Sequence, residues 1–180
     1  MIVGEKVHLR PVEREDLPDF VEWFSDPEVR RYLDMALPFS MAQEERWFEQ
    51  LQERLEKREV VMLTIETSDG AHIGNISLFD INWKDRHAEL GITIGDKDYW
   101  DQGYGSDAIR TMVRVAFDEL NLHRVFLRVY ANNKRGLRCY EKVGFQTEGT
   151  LRESVFQGGA YRDTMVMSIL AEEFESSGGD

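Results

Sequence analysis

The feature that most constrains the fold is a pair of glycines between a predicted strand and a long predicted helix. Residues 88–94 have the length and composition of a strand, Gly103-Tyr104-Gly105 follows, and apolar residues then recur at helical spacing as far as Leu120. Residues 125–129 form another apolar run of strand length. A strand, a helix and a second strand in this order predict a βαβ crossover with two parallel strands. The chain is therefore expected to contain an α/β unit.

The other segments predict a single domain around one mixed sheet. Apolar alternation and turn residues predict strands at residues 7–11, 60–66, 73–80, 88–94, 125–129 and on either side of Gly158-Gly159. Helical spacing and caps predict helices from residue 13, over 41–58, from 103 to 121 and over 134–142. The order is β-α-α-β-β-β-α-β-α-β-β, an α/β (α+β) fold that is antiparallel at first. We predict a domain over residues 1–174 and a flexible tail over 175–180.

Composition excludes several functions. The 180 residues carry a formal net charge of −12, which repels nucleic acid and anionic membranes. No apolar run approaches the roughly 18 residues of a membrane span, and no signal peptide is recognisable. The single cysteine, Cys139, cannot form an intramolecular disulfide, and no His/Cys spacing indicates a metal site. We expect a cytoplasmic protein without metal, nucleic-acid or membrane partners. Its acidity either serves solubility or attracts a cationic substrate such as an amine.

The glycine loop, residues 100–106, has the chemistry of a phosphate site. Glycines let backbone N–H groups approach a ligand closely, and the helix behind them directs its free N–H groups and positive dipole end to the same place. The loop is not a Walker A motif, because no Gly-Lys-Ser/Thr follows, and a dinucleotide fingerprint would need a third glycine. A turn of this kind can also be purely structural.

A second informative segment covers residues 132–145. Asn133 stands where it can cap the predicted helix, and Tyr140 lies two turns later, where a phenol could donate a proton or simply pack. Cys139 next to it is expected to be buried filler rather than a nucleophile. Lys134, Arg135 and Arg138 could meet a phosphate, although a solvated helix face is the simpler interpretation.

Together the two segments resemble the GNAT superfamily of acyl-CoA N-acyltransferases. The family loop has the pattern Gln/Arg-x-x-Gly-x-Gly/Ala, which Gly103 and Gly105 match and from which Trp100 departs. A backbone donor does not depend on the side chain, so tryptophan leaves the chemistry of the loop in place. The second family motif is matched by Asn133, Tyr140, Lys142, Gly144 and Phe145.

The resemblance covers nearly the whole chain and is closest to the RimJ/RimL-like branch. It includes Leu9-Arg10-Pro11, residues 86–91, residues 149–153 and Tyr161-Arg162-Asp163. That branch contains N-terminal acetyltransferases of ribosomal proteins and bacterial spermidine N-acetyltransferases. The resemblance therefore implies direct transfer of an acetyl group from acetyl-CoA to a primary amine in a ternary complex. The acceptor could be a polyamine, a protein N-terminus or another small amine, and the protein could form a homo-oligomer.

The resemblance also implies roles for individual residues. Tyr140 would protonate the departing thiolate, and Asn133 would bond the pantetheine or cap its helix. The backbone of Ile92 and Ile94 would pair with the pantetheine arm as a strand does. The pyrophosphate would lie on Gln102, Gly103, Tyr104, Gly105 and Ser106.

Glu89 is the candidate base, acting directly or through a water. It stands in the strand before the loop, where the acceptor should meet the thioester, because an ammonium must lose its proton before it can attack. The alternative is a solvated strand residue. A kinase or NTPase would need a lysine and Mg²⁺ ligands near the loop, which the sequence does not place there. A CoA-binding sensor of the same fold without turnover stays open.

Overall fold

A computed structural model describes residues 1–35 and 37–177 and shows a single mixed sheet with helices on both faces. The sheet contains β1 (Ile2–Val3), β2 (Val7–Pro11), β3 (Val61–Thr67), β4 (His72–Asn82), β5 (His87–Ile94), β6 (Arg124–Tyr130), β7 (Gln146–Gln157) and β8 (Ala160–Leu170). The helices are α1 (Leu17–Ser25), α2 (Pro27–Arg30), α3 (Met41–Glu56), α4 (Tyr104–Arg114), α5 (Lys134–Val143) and α6 (Ala171–Ser177). Within the described residues no helix is both long and apolar enough to cross a bilayer.

The strand order confirms the predicted mixed α/β fold. The eight strands lie in the order β1-β2-β3-β4-β5-β6-β8-β7. Neighbouring strands are antiparallel except β5 and β6, which are parallel and joined through α4. The crossover expected around the glycine loop therefore connects the antiparallel first half of the sheet, which ends at β5, to the second half, which begins at β6.

Two apolar layers hold the sheet between its helices. On one face α4 buries Ile109 and Met112 completely against β-strand residues such as Ile76 and Leu127. On the other face Phe20 of α1 packs in a cluster with Phe48 and Leu51 of α3 and with Val60, the residue before β3. Full burial of an aliphatic side chain of this size contributes about 1.5–3 kcal/mol, so these layers fix the strands that carry the site.

The structure adds elements that the sequence patterns did not predict. β1 and α2 are too short to show a period, and α2 begins at Pro27 behind Asp26, whose Oδ1 accepts the Glu28 N–H at 2.8 Å. The helix expected to run to residue 121 becomes π-helical over Val115–Glu119. α6 extends to Ser177, inside the predicted tail, and residues 178–180 lie outside the described residues.

The parallel strands separate soon after they meet. Pairing between β5 and β6 is limited to His87 with Arg124, Ala88 with Val125 and Glu89 with Phe126. β5 nevertheless continues to Ile94 and β6 to Tyr130. The sheet therefore opens beyond Glu89, and the candidate site lies in this opening.

Candidate active site

The open edge of β5 presents backbone groups that lack a partner strand. In an antiparallel pair, successive residues direct their N–H and C=O groups alternately toward and away from the partner strand. The Gly95 N–H donates to the Ile73 carbonyl on the β4 side at 2.9 Å, so Ile94 and Ile92 direct theirs toward the opening. The Ile94 carbonyl accepts a hydrogen bond from the Trp100 indole N–H at 2.7 Å.

The glycine loop closes one end of the opening. Gly103 is the N-cap of α4 and adopts a left-handed conformation with φ of 88°, which a side chain would strain. Gly103, Gly105 and Ser106 line a cleft of about 280 Å³ together with Ile92 and Ile94. The predicted loop residues are thus brought together, with differences at two side chains: Gln102 donates to the Asp98 carbonyl outside the cleft, and Tyr104 packs edge-on against Tyr99 at 5.3 Å.

The N-terminal segment braces the glycine loop from behind, which sequence reasoning missed. The Asp107 carboxylate, in the first turn of α4, accepts the backbone N–H groups of Glu5, Lys6 and Val7 at 3.2, 2.8 and 3.0 Å. The Lys6 ammonium donates to the Gln102 carbonyl at 3.0 Å. These hydrogen bonds join residues about a hundred positions apart in the sequence, so no local sequence pattern predicts them.

Basic side chains of α5 border the same cleft. Arg135, Arg138 and Lys142 line it, and the Arg135 guanidinium stacks 3.6 Å over the Trp100 ring. Of the predicted basic cluster, Arg135 and Arg138 border the cleft and Lys134 does not, and both Lys134 and Arg138 are exposed. Contact of these cations with a phosphate stays a prediction. The cleft combines a helix N-terminus with cations, a combination that favours phosphate groups.

Tyr140 stands where this cleft meets a second cavity, because it lines both. Its ring packs edge-on against Phe145 at 6.0 Å, and within the described residues its hydroxyl has no hydrogen-bond partner. Burial raises the pKa of the Tyr140 phenol above its ordinary value, with the neighbouring Cys139 adding to the effect, so the group stays protonated. The neighbouring Cys139 Sγ lies 3.3 Å from Ser106 Oγ, and burial raises the pKa of its thiol as well.

Asn133 caps α5. Its Oδ1 accepts the Gly136 N–H at 3.0 Å, and a Cβ on Gly136 would lie 2.7 Å from the Asn133 amide nitrogen. The tight fit explains a glycine inside the first turn of this helix. Of the two roles considered, the structure contains the cap, while the residue also lines both cavities.

The second cavity, of about 570 Å³, also borders Tyr140 and is the candidate space for an acceptor. We call it the acceptor cavity. Its floor is the face of β4, β5 and β6 opposite α4, and its walls come from α2, the segment after it, β7 and β8. Lining residues include Tyr32, Leu33, Asp34, Ser77, Phe79, Glu89, Gly91, Thr93, Arg128, Tyr130, Ser154 and Thr164.

Glu89 lies on this floor as half of an ion pair. The Arg128 Nε donates to Glu89 Oε1 at 2.8 Å and its Nη2 to Oε2 at 2.7 Å. The side chain of Glu89 is 6% exposed and that of Arg128 is 53% exposed. The hydrogen bonds to Glu89 are the main reason that the pKa of Arg128 is raised, so it remains a cation. Arg128 was not predicted, although a charge between the buried Leu127 and Val129 of a central strand is a recognisable signal.

A metal has no evident place in this arrangement. Among residues 1–35 and 37–177, no cluster of three or more His, Cys, Asp or Glu side chains is arranged to hold an ion.

Known proteins share this architecture over almost the full chain. Residues 6–146 match the family model described as "Acetyltransferase (GNAT) domain". The uncharacterized N-acetyltransferase YokL of Bacillus subtilis (strain 168) is 33% identical over 98% of this chain and 96% of its own. The spermidine N(1)-acetyltransferase of Escherichia coli (strain K12) is 31% identical over 95% of this chain and 89% of its own.

Solved structures agree with these relatives. Spermidine N-acetyltransferase from Vibrio cholerae, solved with CoA and spermine, superposes with a TM-score of 0.85 at 27% identity, covering 94% of this chain and 98% of that one. Mycobacterium smegmatis RimJ, solved in complex with CoA-disulfide, gives a TM-score of 0.84 at 22% identity, covering 93% and 83%, and so shares the fold.

The cleft fits the cofactor that these comparisons imply. Acetyl-CoA has an anionic diphosphate, which suits the α4 N-terminus and its basic surroundings, and an extended amide-bearing arm, which suits the backbone of Ile92 and Ile94 where it lacks a partner strand. The observed residues thus meet both ends of the molecule. From the matched domain, the relatives and the site, we conclude that this chain belongs to the GNAT acetyltransferase family and is an N-acetyltransferase that uses acetyl-CoA.

Proposed function

We propose that the protein acetylates a small primary amine directly, within a ternary complex of enzyme, acetyl-CoA and acceptor. The observation that carries this proposal is the position of the Tyr140 hydroxyl, which is unpaired among the described residues and lies at the junction of the CoA cleft and the acceptor cavity. Acetyl-CoA supplies an electrophilic thioester, so an amine in the adjacent cavity needs only alignment and proton removal.

For the cofactor we propose the binding mode that the sequence suggested. The backbone of Ile92 and Ile94 pairs with the pantetheine arm, and residues Gln102 to Ser106 hold the pyrophosphate. The left-handed Gly103 and the α4 N-terminus support this, because they leave backbone N–H groups free at one place. At Gln102 the support is limited to the backbone, since its side chain is engaged by the Asp98 carbonyl. Asn133 contributes by holding α5 in place.

For proton removal we propose Glu89, directly or through a water. Both carboxylate oxygens accept a bond from Arg128, yet each oxygen keeps acceptor capacity for an ammonium or a water. Glu89 lines the acceptor cavity on the same floor as Ser77 and Gly91. Its location at the point where β5 and β6 separate, beside the open strand edge proposed for the pantetheine arm, supports this role.

For the departing thiolate we propose Tyr140 as the proton donor. Its raised pKa keeps the phenol protonated, and packing against Phe145 fixes the ring without engaging the hydroxyl. The reference pKa of a thiol, about 8.5, makes such a donor helpful rather than essential.

The test is release of CoA thiol from acetyl-CoA with a panel of spermidine, other alkyl amines, amino acids, aminoglycosides and N-terminal peptides. Amine-dependent thiol release with the acetylated amine as product is expected. Tight CoA binding without turnover on any amine would instead identify a sensor of the same fold. The homo-oligomeric state and cytoplasmic location expected from the sequence stay predictions.

A further inference from the structure

The acceptor cavity is not an acidic groove, although the whole chain carries a net charge of −12. The charged residues that line it are Asp34, Glu89, Arg128 and Arg135. The Glu89 carboxylate is neutralised by Arg128 at 2.7 Å, and Arg135 lies over the Trp100 ring. The cavity therefore has no excess of carboxylates with which to hold a polycation.

Arg128 keeps hydrogen-bonding capacity in this cavity. Its contacts to Glu89 use Nε and Nη2, and within the described residues Nη1 has no partner. Because a guanidinium has N–H donors beyond those bonded to Glu89 and has no acceptor, the remaining donors can bind an anion or a carbonyl oxygen. The side chain is 53% exposed, which leaves it accessible to a ligand.

The pairing also fixes the distance between a cationic and an anionic recognition group. Glu89 can accept from an ammonium, and Arg128 can donate to a carboxylate in a planar, two-point geometry. Since the two side chains touch each other, an acceptor that uses both must carry its charges only a few bonds apart.

We propose that the acceptor is an amino acid, whose amine meets Glu89 while its carboxylate is bound by the free face of the Arg128 guanidinium. This inference rests on the proposed function and names its substrate class. Arg128 is then a specificity residue, and Glu89 both orients it and faces the amine. A polyamine would place several positive charges beside Arg128 and Arg135, which like-charge repulsion disfavours.

The experiment compares acceptors that differ in one group. Alanine, leucine and phenylalanine are each tested beside the corresponding carboxamide and the decarboxylated amine, so that side-chain effects cancel within a set. Thiol release is measured over a pH series and expressed per free amine, because the three amines of a set ionise differently. Calorimetric titration of each compound into the CoA complex gives a readout independent of turnover.

In at least one set we expect the carboxylate to raise kcat/KM, or affinity for the CoA complex, by roughly tenfold or more over both partners. The double variant Arg128→Gln with Glu89→Gln removes both charges at once, leaves no unpaired buried charge and should abolish the calorimetric preference. Arg110→Gln makes the same arginine-to-glutamine change at an exposed position of α4 that lines neither cavity, and this control should retain the preference.

Equal or weaker performance of the carboxylates in every set, or a stronger preference for spermidine, would overturn the inference while leaving the proposed function intact. Absence of turnover on every amine would overturn the proposed function, and calorimetry would then still decide the inference. A carboxylate preference that survives in the double variant would also overturn it.

Discussion

Replacing Tyr140 by phenylalanine removes one oxygen atom from the junction of the two cavities. In the described structure the hydroxyl makes no hydrogen bond, and the ring keeps its contact with Phe145 at 6.0 Å. No protein partner is left unsatisfied, so the free energy of unfolding should change by less than about 0.5 kcal/mol. Any loss of activity then reports on catalysis rather than on folding.

The expected size follows from the leaving group. General acids typically contribute about 10²- to 10⁴-fold, but a thiol with a reference pKa near 8.5 departs without a full proton transfer. We therefore expect kcat of Tyr140→Phe to fall by roughly 10- to 100-fold, or about 1.4–2.7 kcal/mol of transition-state stabilisation. Because burial raises the pKa of Tyr140 above its ordinary value, the phenol stays protonated at every pH below that ordinary value. The ratio of the kcat of the wild type to that of the variant should therefore be constant between about pH 6 and pH 9.

The assay is steady-state thiol release with the best amine, with CoA affinity measured by calorimetry. Tyr161→Phe is the matched control, because Tyr161 lies on the β7–β8 hairpin, is 65% exposed and borders neither cavity. A fully active Tyr140→Phe enzyme would reduce Tyr140 to a packing residue. Unchanged kcat with strongly weakened CoA affinity would make the hydroxyl a binding group instead.

Three further outcomes are expected. Gly105→Val should weaken CoA binding by about tenfold or more. A Cβ at this position already contacts Cys139 and Ile94, so the methyl groups of valine would project into the cleft. Unchanged calorimetric affinity in a folded variant would contradict this. Glu89→Gln should lower kcat roughly 100-fold on an alkyl amine and much less on an aniline, which needs no base; equal losses would indicate a structural role. Glu44 is 3% exposed and its pKa is raised by burial, so its ionised form destabilises the fold. Glu44→Gln should therefore raise the free energy of unfolding by about 0.5–1 kcal/mol in urea titrations at pH 8. This gain should disappear as the pH falls to about 4, where the wild-type carboxyl is also protonated. A lower free energy of unfolding for the variant at pH 8 would contradict the prediction.

The fold was largely predictable because its signals are local. The apolar spacing of α4, the turn at Gly158-Gly159 and the glycine that ends α5 each depend on neighbouring residues alone. The two-residue β1 and the four-residue α2 are too short for any period to show. The π-helical turn ending with the Leu120 N–H on the Val115 carbonyl at 3.0 Å likewise has no distinct sequence pattern.

The site was predictable only where it is local. The glycine loop and the segment containing Tyr140 are continuous stretches, and the structure brings Gly103, Gly105 and Tyr140 to one cleft. Arg128 meets Glu89 across 39 positions, and Asp107 meets Lys6 across 101. Such pairs depend on strand register and on how the N-terminal segment crosses α4, which a single sequence does not specify.

The early separation of β5 and β6 has a consequence for amide hydrogen exchange. Amides exchange slowly when they are bonded within a stable sheet, and β5 is a central strand, yet beyond Glu89 it has no strand partner on one side. In the free protein the Ile92 and Ile94 amides should therefore exchange faster than those of Gly91 and Thr93, which face β4. On the proposed binding mode, CoA protects them, and at a concentration of about 100 times Kd it stabilises the fold by about 2.7 kcal/mol. The co-substrate then acts as a temporary strand, present in the sheet only while the enzyme is loaded.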